Sequence, residues 1–441
     1  MREVDMILSG ALLLTMDDRN TQIDHGAIAI KGDIVVGIGS REEIHRLFIS
    51  PEEIHESHGL IMPGLINCHT HAAMTCFRGM ADDMALMDWL NHYIFPAEAK
   101  NVNPDLAYWG SMLACAEMIR AGTTTFSDMY IFEDETGQAA KKAGMRCLIG
   151  EVLFDFPSPN VKSPAEGLTY TRKLLNKWAD DPLVSIMVEP HALYTCSTEL
   201  LKDAKAIADE FQVPYAIHLL ENKAEVMRIR EKFGMNVGAF LQSIDFLTER
   251  FFAFHCVYMN EQDIQLFADH GCKVVHNPES NMKLASGVAP ISSMLKHGIV
   301  VGLGTDGCAS NNNLNMFEEM DTAAKLAKVE SLDPTVMSAR TVVRMATCDG
   351  AKVLGMGNRI GSLEGGKKAD VIMIDMRKPH LTPMYHSYSH LAYTVSSADV
   401  DTVIINGRLV MRKRELLTID ADEAMDQVNR IAIGIRESMN L

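Results

Sequence analysis

The chain has 441 residues, 47% of them hydrophobic and 22% charged, and a net charge of −17. This is the composition of a globular protein large enough for two or three domains, and the negative balance argues against nucleic acid or an anionic membrane as partner. Nine cysteines (68, 76, 115, 147, 196, 256, 272, 308 and 348) form no Cys-x-x-Cys pair; such an odd, dispersed set reads as reduced core residues of a cytoplasmic protein. Glu3 and Asp5 stand where a signal peptide carries basic residues. No apolar run approaches the roughly 18 residues of a membrane span.

Residues 1–61 read as short strands: Val4–Leu8, Ala11–Met16, and two β-rich runs about the Lys31-Gly32-Asp33 turn. The same texture returns at Lys368–Asp375 and Asp401–Val410. Short β segments at either end are too small to bury separate cores, so the expectation is one small β-sandwich assembled from both termini. Asp420-Ala421-Asp422-Glu423 resembles a capping box, followed by a terminal helix with Ala424, Met425, Val428, Ile431, Ala432, Ile435 and Met439 as its apolar stripe.

The middle, 62–357, alternates differently. Short β-prone runs at 65–69, 123–129, 146–153, 183–189, 214–219, 251–257, 272–276 and 299–304 are each followed by a helix-like stretch. Eight such units match a TIM-like (β/α)8 barrel, and no Gly-rich phosphate fingerprint follows any of them. The expected domains are therefore 1–61 (part of the β-sandwich), 62–357 (the barrel) and 358–441 (the rest of the sandwich plus the helix).

Side chains at the C-terminal ends of barrel strands are where such folds place chemistry. Those ends carry His69 and His71, Asp128, Glu151, His191, His218 with Glu221, His255, His276 and Asp306. His69 and His71 are one residue apart, so on a strand both point the same way, and two neutral imidazoles so placed suit one metal ion.

Pro63-Gly64…His69-Thr70-His71, His218, His255 and Gly302–Gly307 resemble the metal framework of the amidohydrolase superfamily over about residues 4–415. Phe95–Glu98, His218–Glu221, His276–Leu284 and Asp306–Asn312 are similar to its 5′-methylthioadenosine/S-adenosylhomocysteine deaminases. The resemblance implies that His69, His71, His218 and Asp306 hold one divalent metal, Zn²⁺ or Fe²⁺. Binuclear members carry a bridging lysine at the fourth strand end, and here that end is Met187–His191 without one. It further implies Glu221 as the acid for the purine ring nitrogen, and Asp306 and His255 as acceptors of the water proton. Glu98 would take the ribose hydroxyls, with His191 and Ser310 against the substrate.

Asp128 and Glu151 read as structural or supporting residues, and His276 as standing behind the ligands. Met80, Met84 and Met87 recur at helical spacing and read as core. Some members of the family bind the homocysteine carboxylate with arginines. Here the 154–162 loop has none, Lys162 and Arg172 being the nearest cations. The expected partner is a small adenosine-derived molecule, with neither nucleic acid nor membrane involved and a homo-oligomer left open. Two rival readings stand beside this one: a triazine, pterin or guanine aminohydrolase or chlorohydrolase, and a non-catalytic barrel scaffold.

Overall fold

Eight parallel strands position the site. They are β1 (Leu65–Thr70), β2 (Thr123–Tyr130), β3 (Arg146–Leu153), β4 (Val184–Ile186), β5 (Tyr215–Leu219), β6 (Phe251–His255), β7 (Lys273–His276) and β8 (Val301–Leu303). Every residue of β2 and β3 is buried, as expected of parallel strands covered on both faces. Adjacent residues part into two apolar clusters: Leu148, Ala216, Phe252, Phe254 and Val275 join one, Ile149, Ile217, Ala253 and Val274 the other. That is the period-two alternation of a strand with both faces apolar. Helices intervene between strands, and side-chain caps start many of them: Asn103 accepts from Leu106 N, Ser163 from Glu166 N, Ser197 from Leu200 N and Asn222 from Glu225 N.

This computed structural model describes residues 1–84 and 86–440. It is an α/β fold in which β1–β4 form one parallel sheet and β5–β8 another. At one seam Val188 and Ala192 bridge in parallel to Tyr215 and His218. At the other, Asp306 N donates to His69 O (2.9 Å), and Asn67 pairs with Thr305 through Thr305 N→Oδ1 (3.0 Å) and Nδ2→Oγ1 (2.8 Å). The expected fourth strand is interrupted: Val184–Ile186 and Glu189–Pro190 pair with β3 separately.

The termini join in one mixed nine-stranded sheet, in which Glu52–Pro63 runs antiparallel to Val371–Asp375. The sheet is rolled. Ile34 bridges Lys368, although three strands separate Ile34–Ser40 from Val371–Asp375 in the sheet order. Gly407 (φ +75°) makes this approach possible, since a Cβ there would stand 2.0 Å from Gly32 O. The two runs expected on either side of Gly10 are one strand, Met6–Leu14. Gly10 lets it continue where a Cβ would meet Gly59 O at 2.5 Å.

Arg146, at the start of β3 and 1% exposed, locks this sheet to the parallel strands. Its Nε donates to Asp370 Oδ2 (2.7 Å) and its Nη2 to Asp370 Oδ1 (3.1 Å). The C-terminal helix, Ala421–Met439, is capped by Asp420 through Glu423 N. The return bond of a capping box is not formed, and Met425 is exposed rather than part of the buried stripe of Ala424, Val428 and Ile435. This helix braces Phe95–Asn101: Ser438 Oγ donates to Asn101 Oδ1 (2.8 Å) and Lys100 Nζ to Ser438 O (3.2 Å). Among the described residues, no helix is long and apolar enough to cross a membrane.

Candidate metal centre and active site

The strand ends surround a cavity lined by His71, His218, His255 and Asp306. His69 and His71 leave β1 with ring centroids 4.8 Å apart, and His218, from β5, stands 4.9 Å from His69 and 5.4 Å from His71. Asp306 Oδ1 lies 3.1 Å from His71 Nε2 and 3.4 Å from His69 Nε2. His255, at the end of β6, completes the ring at 5.5 Å from His218. His255 (φ +67°) and Asp306 (φ +68°) are both in the left-handed region, a strained setting that clusters at functional sites.

Hydrogen bonds orient the imidazoles. Nδ1 of His71 donates to Met129 O, Nδ1 of His218 to His191 O (2.9 Å), and Nδ1 of His255 to Asn281 Oδ1 (2.9 Å). Each Nε2 is thereby turned toward the centre, the orientation that supporting acceptors impose on metal-binding histidines. Both nitrogens of the fully buried His69 lack any hydrogen-bond partner. Two overlapping groups have donor atoms within 4.8 Å of one another: His69 with His71 and Asp306, and His69 with His218 and His255. Orphaned imidazole nitrogens beside a carboxylate are what a divalent ion satisfies.

The electrostatics agree. Burial lowers His69 to about 3 and His218 well below its usual value, so both are neutral ligands in waiting. Burial opposes charge on His71 too, but contact with Asp306 and the nearby Asp128 raises it to about 9. Burial likewise works to raise Asp306, yet its contacts with His69 and His71 hold it well below the carboxylate range. The proton on His71 thus stands in for a positive charge that a cation would supply.

Asp306 is held on all sides. Oδ2 accepts from Ser280 Oγ (2.7 Å) and Ser310 Oγ (2.9 Å), and Oδ1 from Gly307 N (2.8 Å). Ser310 lines the cavity, and its hydroxyl donates to Asp306 Oδ2. Glu221 is in the cavity wall and buried, and burial raises its carboxyl above the usual range. Glu98, from the helix Phe95–Asn101, is also buried in the wall and accepts from Tyr130 Oη (2.7 Å). Burial pushes Glu98 up to about 7, against the pull of Tyr130 and His71. His191 bonds Thr195 Oγ1 (2.8 Å) and lies among aromatic rings, with Phe154 4.9 Å away. Leu86, Trp89, Leu90, Ile94 and Phe95 close the apolar side.

Other sequence candidates fall outside the cavity. Asp128 accepts from Thr70 Oγ1 and Ala72 N, bracing the chain on either side of His71. Glu151 accepts from Phe132 N (3.3 Å), Glu133 N (3.0 Å) and Asn160 (2.9 Å), shaping the start of a helix. His276 is buried without joining either donor group. Lys162 is exposed and Arg172 pairs with Glu210 (2.6 Å). Of the three methionines, Met87 alone is helical; all three pack, half-buried, against the cluster that walls the cavity. Sequence reasoning did not single out Ser280, Asn281 or Tyr130. The first two lie inside the quoted 276–284 motif, whereas Tyr130 carried no signal beyond its place at a strand end.

A fold of alternating strands and helices with a buried His/His/His/Asp constellation defines a metal-dependent hydrolase class, and the chain belongs to the amidohydrolase family, whose model matches residues 60–410. It is 62% identical over 439 residues to 5-methylthioadenosine/S-adenosylhomocysteine deaminase 1 of Syntrophus aciditrophicus, covering 100% of this chain and 99% of the relative. It is 42% identical to 5′-deoxyadenosine deaminase of Methanosarcina barkeri, covering 97% of this chain and 98% of the relative. An adenosine deaminase from Xanthomonas campestris, solved with bound zinc, superposes with a TM-score of 0.97 at 35% identity over 99% of both chains.

Proposed function

We propose that this chain is a metal-dependent hydrolytic deaminase of adenosine derivatives. It converts 5′-methylthioadenosine or S-adenosylhomocysteine, and adenosine or 5′-deoxyadenosine, to the inosine derivative and ammonia. The observation that carries the reading is a single cavity. It combines the imidazoles of His71, His218 and His255 beside Asp306 with two further buried carboxyls, Glu221 and Glu98, on its walls, and the partnerless His69 lies directly behind. The high identity to named deaminases supports the same reaction.

His69, His71, His218 and Asp306 would hold one divalent ion, with Zn²⁺ favoured by the zinc of the structural relative. Such an ion supplies hydroxide-like water at neutral pH by lowering the pKa of bound water from 15.7 to about 7. The remaining work is done by the chain. Asp306, clamped by Ser280 and Ser310, and His255, oriented by Asn281, take the proton released as the water oxygen bonds to C6. Glu221, whose carboxyl burial raises above the usual range, donates to N1 of the purine. A second proton leaves with the exocyclic nitrogen as ammonia, so adenosine derivative plus water balances inosine derivative plus ammonia. Glu98 accepts from the ribose hydroxyls and His191 packs against the nucleoside, with Ser310 on the cavity wall against the substrate as well as holding Asp306.

The eight strands are read as one closed (β/α)8 barrel over 62–357, because both seams are bridged and one cluster gathers residues of both sheets. Residues 1–61 and 358–441 form the accompanying small β-sandwich, a reading supported by the rolled sheet and its common core. All nine cysteines are free and buried, which fits a cytoplasmic protein. The acidic charge fits a small-molecule partner, with neither nucleic acid nor membrane.

The test is a panel of adenine nucleosides followed by ultraviolet conversion to the hypoxanthine product and by ammonia release. Turnover of triazines or pterins in place of nucleosides would overturn the substrate class.

A further inference from the structure

We propose that Tyr130 is a positioning residue that makes this site selective for a ribose diol. The inference rests on the assignment of Glu98 to the sugar and extends it to a residue with no role so far. Glu98 is 7% exposed. Among the described residues Tyr130 Oη is the one recorded hydrogen-bond donor to its side chain, and no Lys or Arg lines the cavity. A carboxylate accepting from two vicinal hydroxyls needs free lone pairs in a fixed plane. Tyr130 occupies one position on Oε1, which fixes the rotation of the carboxyl, and Oε2 has no recorded hydrogen-bond donor among the described residues.

Tyr130 is suited to this. It is 3% exposed, and burial with the adjacent Glu98 keeps its phenol protonated far above neutral pH, so it remains a donor. It is also the last residue of β2, and the carbonyl of the preceding Met129 accepts from Nδ1 of His71. Two consecutive residues of one strand therefore orient an imidazole of the metal centre and the sugar carboxylate. The distance between the reacting end and the sugar end of a substrate is set by rigid β structure rather than by a loop.

Removing the phenol oxygen leaves Oε1 of a buried carboxylate without its donor, which favours its protonated form. A neutral acid binds hydroxyls about half as strongly as a carboxylate.

The experiment compares adenosine with 2′-deoxyadenosine in the metal-loaded wild type, Tyr130→Phe and Glu98→Gln. Phenylalanine keeps the ring in its packing. In Tyr130→Phe, kcat/KM for adenosine should fall roughly tenfold, mostly through KM, while that for the 2′-deoxy compound changes less than about threefold. An equal fall on both substrates makes Tyr130 a packing residue and overturns the inference. So does a ribose preference lost in Glu98→Gln yet intact in Tyr130→Phe. A preference that survives Glu98→Gln removes the diol from Glu98 and takes the Tyr130 role with it. Absence of turnover on any adenine nucleoside would instead sink the deaminase reading beneath both.

Discussion

Two clusters of buried polar groups adjoin β1 and β2, and they have opposite fates. His71, His218 and Asp306 line open space with His69 buried beside them, nitrogen and oxygen donors mixed. Asp128, Glu133, Glu151 and Glu189 are carboxyls alone, fully buried and outside the cavity wall. Both clusters hold atoms without hydrogen-bond partners: the nitrogens of His69 in the first, and Asp128 Oδ2, Glu133 Oε2 and both oxygens of Glu189 in the second. In the first, the contacts between Asp306 and His71 keep both groups charged despite burial. In the second, burial raises every carboxyl, Glu133 and Glu189 well above the ordinary range. Where space and imidazoles meet a carboxylate, a metal ion is the natural counter-charge. Where carboxyls meet only protein, the proton is.

The strongest way to break this comparison is His69→Ala. Metal content measured by elemental analysis should drop from one ion per chain to near none, and deamination to background. A wild-type content near two ions, both required for turnover, would contradict the single centre. Next comes Glu221→Gln, which should keep its metal and lose roughly 10²–10⁴-fold in kcat as the ring nitrogen loses its acid. A variant with near-normal kcat would take Glu221 out of the chemistry. Glu98→Ala should act on the sugar alone. A 2′-deoxy substrate should be roughly 10–100-fold poorer in the wild type, and the variant should lose that discrimination.

The smallest effect lies in the second cluster. Burial and the adjacent Asp128 keep the folded-state pKa of Glu133 well above its ordinary value. The native state therefore binds more protons than the unfolded chain. The contribution of Glu133 to stability is complete below pH about 4 and is lost as pH rises toward the folded value. Glu133→Gln should flatten that decline in Tm, with near-wild-type Tm at pH 5 and a relative gain at pH 8, and it should leave metal content unchanged. A variant that loses metal would mean that the two clusters act as one.

Much of this was legible in the chain itself. The strand ends expected at 69, 128, 151, 191, 218, 255, 276 and 306 all stand within a few residues of the C-terminal ends of the eight parallel strands. They were readable because apolar β-prone runs ending in a histidine or carboxylate are rare by chance. The break in the fourth strand and the single strand through Gly10 were not readable. Both depend on backbone approaches, around Pro190 and at Gly59 O, that local propensity does not encode. The bond from the Ser310 hydroxyl to Asp306 was not readable either, because a motif carries no hydroxyl orientation.

By itself the sequence determined the donor types, their spacing along the chain and the period-two and helical patterns that carry them to one end of the strands. Only the tertiary structure decided how those donors are aimed. Asn281 turns His255, Ser280 and Ser310 clamp Asp306, and the C-terminal helix braces the segment bearing Glu98 from more than 300 positions away. Spacing in sequence is a local property and survives in any unfolded chain. Which way a ring or hydroxyl faces is set by partners that only long-range packing brings within hydrogen-bond reach.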